Sequence, residues 1–70
     1  MSKVNGLMNG MDIIIEYEAN PWMSSSVDVI YVGEQDGPAF MKMKAEDYEL
    51  MRIAGWRKSN SMRCWMYKLV

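Results

Sequence analysis

Cys64 is the only cysteine and histidine is absent, so this 70-residue chain has neither a disulfide nor the commonest metal ligand to staple it. A domain of this size buries only about 60% of the surface its unfolded form exposes, which leaves a thin margin of stability. Packing must therefore supply the stability. Half of the residues are apolar, with three Trp, four Tyr and one Phe, which is too rich for intrinsic disorder. Nine are Met, a flexible side chain that fills irregular gaps and suits adaptable binding surfaces. One domain over residues 1–70 is expected, in a reducing, cytoplasmic setting. No long apolar run follows the start, so neither a secretory signal nor a membrane span is expected.

Residues 1–10 carry Gly6, Gly10, Asn5 and Asn9 without clear periodicity and read as a flexible lead-in. From Met11 to Glu18, Ile13, Ile15 and Tyr17 alternate with Asp12, Glu16 and Glu18, Ile14 being the exception, which predicts a strand with one wet face. Asn20-Pro21 ends it, and a loop through Trp22, Met23 and three serines follows. Val27 to Val32 resumes strand character, with Val29 and Tyr31 on one side and Ile30 and Val32 on the other. Gly33 to Pro38 reads as a turn and Ala39 to Met43 as a third strand. A helix is then predicted, opened by Glu46 and Asp47, with Leu50, Met51, Ile53 and Ala54 on its inner side. Gly55 suits the left-handed position that ends a helix. A stub at 56–58, a Ser59-Asn60-Ser61 turn and a final strand from Met62 to Leu69 complete the chain. The expected fold is α+β: a small antiparallel sheet of four to five strands, order β-β-β-α-β-β, packed against one short helix. The last strand is placed centrally because Trp65, Tyr67 and Leu69 on one face alternate with Met62, Cys64 and Met66 on the other.

The absence of histidine removes the Ser-His and Cys-His arrangements of covalent hydrolases. Cys64, between Arg63 and Trp65, reads as a buried thiol rather than a nucleophile. Asp12, Glu16 and Glu18 read as a solvated strand face rather than a cation site, and no phosphate loop is present. No catalytic residue, cofactor or metal is expected, and the chain is read as a non-enzyme. Its charge of −1 argues against general polyanion binding, but the distribution is uneven. Residues 1–41 hold a formal −5 and residues 42–70 a formal +4.

The stretch Leu50-Met51-Arg52-Ile53-Ala54-Gly55-Trp56-Arg57-Lys58, with the turn and Met62 to Lys68, resembles the helix-Gly-Trp-hairpin core of the HicA-type mRNA interferase toxins. In that family a Gly-Ser-His element supplies the catalytic histidine. The corresponding turn here reads Ser59-Asn60-Ser61, so the resemblance implies RNA binding without the activity.

Two functions follow from these residues. The first is a protein-interaction module, a regulator or inhibitor of the kind that phages and mobile elements encode, acting inside a host cell. It would dock on a larger protein, or on a second copy of itself, through Trp22, Met62, Cys64 and Met66. The alternative is single-stranded nucleic-acid binding through Arg57, Lys58, Arg63, Trp56 and Lys68, the mixture that stacks bases and holds phosphates.

Overall fold

Gly6, Gly10 and Trp56 decide how the layers meet. The structure, a computed structural model, describes residues 2–69. Its elements are α1 (Ser2–Tyr17), β1 (Met23–Ser26), β2 (Val29–Val32), α2 (Pro38–Met41), α3 (Ala45–Ala54), β3 (Trp56–Ser59) and β4 (Cys64–Lys68). The sheet runs β1-β2-β4-β3 with every pairing antiparallel. Ile30, Val32, Trp56, Trp65 and Tyr67 point to one face, where they meet Ile14, Ala39 and Met51 from the three helices.

The expected fold is corrected on this evidence. The sheet has four strands, but there are three helices rather than one, and the order is α-β-β-α-α-β-β. The segment 11–18 is mostly helix, not strand. Ile13, Ile15 and Tyr17 satisfy alternation and Ile14 breaks it, whereas Leu7, Met11, Ile14 and Tyr17 recur at helical spacing, and these meet the core. Burial of that stripe overrides the β-propensity of isoleucine. The helix also takes in residues 2–10, where a lead-in was expected.

Gly6 and Gly10 lie four apart and so share one face of α1. A Cβ on Gly10 would run into the indole of Trp56, and one on Gly6 into the carbonyl of Ala54. The two glycines let β3 and the end of α3 approach the helix backbone. Trp56 Nε1 donates to the Gly6 carbonyl at 2.9 Å, and the indole is buried.

The expected third strand, 39–43, is instead occupied largely by α2. Pro38 stands in its first turn, where a missing N–H costs nothing, and the amides of Phe40 and Met41 return to the Gly37 carbonyl. The serine-rich segment expected as loop is β1, which pairs with β2 across the turn at Val27-Asp28. Glu18, just past α1, fastens the connection from β2 to α2. Its carboxylate accepts the amides of Glu34 at 2.9 Å and Ala39 at 3.1 Å.

The helix expected after residue 44 is present as α3, and Gly55 ends it at φ 99°. Its inner face is narrower than its pattern suggests. Met51 is buried and Ala54 half-buried, but Leu50 and Ile53 are exposed. Tyr17 holds the start of α3, donating to Asp47 at 2.6 Å and accepting the Lys44 amide at 3.0 Å. The hydrogen bond to Asp47 raises the phenol's pKa above its ordinary value.

Gly10→Ala tests the α1–Trp56 contact. Alanine favours a helix by about 1 kcal/mol over glycine, but overpacking a rigid buried ring costs about 1–3 kcal/mol or more. The expected result is a lower urea midpoint; a higher midpoint would show that Trp56 does not sit against this glycine.

Candidate interaction surface

Helices cover only one face of the sheet. The strand registers place Arg57, Met66, Tyr31 and Ser24 in one row across the other face. Lys68, Val29 and Ser26 form the next row, and Ser59 and Cys64 lie on the opposite side of the first. Tyr31, Val29 and Met66 are half-buried there, while Arg57, Lys68, Ser24 and Ser26 are exposed. No strand position of this face carries a carboxylate.

At one end the face deepens into a groove of about 400 Å³, lined by Trp22, Ser24, Tyr31, Glu34, Met62 and Cys64 among others. Three of the four residues expected to bind a partner thus come together. The fourth, Met66, lies opposite Tyr31 on the same face. Backbone bonds position the rim: the Gly33 amide donates to the Trp22 carbonyl at 2.8 Å, and the Met62 amide to Ser59 Oγ at 3.2 Å. Arg63, itself at φ 58°, pairs with Asp36 at 2.6 Å and so ties the β3–β4 turn to the 33–37 loop. Trp22 is 71% exposed.

Cys64 lies at the floor of the groove and is buried. Burial pushes its thiol pKa up, and the negative charge of Glu18 adds to this. Both effects favour the thiol over the nucleophilic thiolate.

The residues of the nucleic-acid alternative are not brought together. Trp56 is buried and its N–H is used within the fold. Lys58 points to the helix side, with Nζ 4.9 Å from the Phe40 ring centroid and 5.1 Å from that of Tyr48, a cation–π site. Arg63 is held by Asp36 and lies 5.3 Å from the Phe40 ring centroid. Only Arg57 and Lys68 share the uncovered face.

Asp12 and Glu16 are exposed on α1, and Glu18 caps a loop, so the expected trio on a strand face does not form. Among the described residues no group of three or more His, Cys, Asp or Glu side chains is placed to hold a metal. No helix of the described residues is long and apolar enough to cross a membrane. Tyr31, at the centre of the face, was not singled out from the sequence. Its alternation with Ile30 and Val32 was the available signal.

The chain matches no protein-family model, and neither curated proteins nor solved structures include a significant match.

Cys64 should react slowly with iodoacetamide in the folded protein at pH 8, by about tenfold or more relative to the protein in denaturant. Mass spectrometry of timed samples measures both rates. Equal rates would mean that the thiol stands open in the groove.

Proposed function

We propose that this chain is a non-enzymatic interaction module that docks on a larger protein through the uncovered sheet face, with Trp22 as its anchor. The observation that carries this reading is the 71% exposure of Trp22 beside a groove that Tyr31, Met62 and Cys64 line. A tryptophan left in water contributes little to its own core, whereas a partner that buries it gains a large apolar area. Interface hot spots favour Trp, Tyr and Arg, and Trp22, Tyr31 and Arg57 stand on or beside one surface. Met62 and Met66 add adaptable apolar contacts around them. Docking there would occlude the partner's own surface, the simplest way for so small a domain to regulate or inhibit. The same face carries Arg57 and Lys68 without a strand carboxylate, which supports nucleic-acid binding as the second reading.

A photo-cross-linking residue at position 22, with one at Asp12 on α1 as control, separates these readings in cells that naturally produce the chain. The expected result is a discrete protein adduct from position 22 alone, lost in the Tyr31→Ala variant. Trp22→Ala should itself shift stability by no more than about 0.5 kcal/mol, as for other exposed sites. A nuclease-sensitive adduct would overturn the protein reading. So would submicromolar binding to random single-stranded RNA at about 0.15 M salt with a steep salt dependence.

A further inference from the structure

The apolar side of α3 is wider than the surface that covers it. Leu50 and Ile53 belong to that side, yet Leu50 is 51% and Ile53 68% exposed. Both open onto a groove of about 580 Å³ between α1 and α3, lined also by Ile13, Ala54, Asn5 and Asn9. The two helices run antiparallel along it. Gly6 lies against the Ala54 carbonyl at one end, and Tyr17 donates to Asp47 at the other.

Charge on the two banks is of one sign. Steps of three and four residues place Asn9, Ile13 and Glu16 in one row of α1, and Glu46, Leu50 and Ile53 in one row of α3. The rows that flank the groove therefore carry Glu16 and Glu46 and no base. Asp12 is exposed on the crest of α1, and Asp47 stands at the closed end. Arg52, the one base within α3, lies on another side of the helix, paired with Glu49 and lining a separate cleft with Tyr48. Lys44, just before α3, is a single base against these acids.

We propose that the groove takes a basic amphipathic helix from a protein partner. An apolar row on that helix enters between Ile13 and the Leu50–Ile53 bank, while its Lys and Arg side chains reach Glu16 and Glu46. A helix satisfies its own backbone, which suits a groove between two helices that offers no free strand edge. An extended peptide would leave its N–H and C=O groups unpaired against aliphatic side chains. The ten residues of α3 match about three turns of a docked helix, room for anchors spaced i, i+4 and i+7. An acidic helix would meet like charge on both banks. The site is independent of the sheet-face reading, because no residue of the uncovered face lines it. With both surfaces occupied, the domain would bridge two proteins.

A synthetic peptide of about 14 residues, built of Leu and Lys with leucine at helical spacing, is the probe. It is titrated into the isotope-labelled full chain and followed by amide chemical shifts at about 0.05 M salt, where screening is modest. A scrambled peptide of the same composition and one with Glu in place of Lys are the controls. The expected result is a Kd tighter than about 100 µM, with shifts centred on Ile13, Leu50 and Ile53. Ile53→Gln removes an apolar anchor, and the double variant Glu16→Gln/Glu46→Gln removes the charge of the banks. Each should weaken binding about fivefold or more, and the double variant should also flatten the salt dependence. Circular dichroism verifies folding, and Leu50→Gln replaces Ile53→Gln should that variant not fold. The proposal is overturned by an absence of saturable shifts, or by shifts centred on Trp22 and Tyr31 instead. Equal binding of either control peptide, or unchanged affinity in the folded variants, overturns it too. So does a native dimer that Ile53→Gln dissociates, since a second copy would then be the occupant.

Discussion

The indole of Trp56 seated against Gly6 and Gly10 is the contact on which the rest of the molecule depends. It ties three elements together at one point. The left-handed Gly55 turns the chain from α3 directly into β3, so Trp56 is delivered to the sheet within one residue of the helix end. Its N–H is satisfied by a backbone carbonyl of α1, and its ring centroid lies 5.2 Å from that of Tyr67 on β4. Truncating a buried tryptophan typically costs about 3–5 kcal/mol, a large fraction of what a domain this small has. Trp65 fastens α2 in the same way, donating to the Ala39 carbonyl at 2.7 Å. Two buried indoles, each hydrogen-bonded to helix backbone, thus draw the helices onto one face.

What the sequence made legible follows the range of the interactions involved. The helix over 45–54, its glycine stop, the short strand after it and the central last strand rest on neighbours in the chain, and these are present. The first helix depends on a partner 46 to 50 positions away. Gly6 and Gly10 look like breakers until the indole they admit is known, and Ile13-Ile14-Ile15 fits either period. Pro38 closes the turn expected before a third strand, yet it begins α2, because proline suits a turn and the first position of a helix alike. Ser24-Ser25-Ser26 has no strand propensity to reveal it and is held as β1 by its pairing with β2.

The surface residues divide along the same line. Trp22, Met62 and Cys64 were expected together from an exposed loop and an apolar row of the last strand, and they line one groove. The basic aromatic residues mix the side chains that stack bases and hold phosphates, but strand alternation sends Trp56 and Lys58 to the helix side and Arg57 to the other. Local composition cannot register that division; pairing can. Because the helices take one face, the second is left as the surface through which a partner is proposed to dock.

Hydrogen exchange at the three indole N–H groups tests this division of the sheet most directly. A seated Trp56 and Trp65 require both indole protons to exchange only through opening of the fold, while the Trp22 proton exchanges at nearly the rate of free indole. Two slow protons and one fast one, assigned by single Trp→Phe replacements, are the expected result. A Trp56 indole that exchanges as fast as Trp22 would contradict the seat on α1, and with it the placement of the helices on a single face.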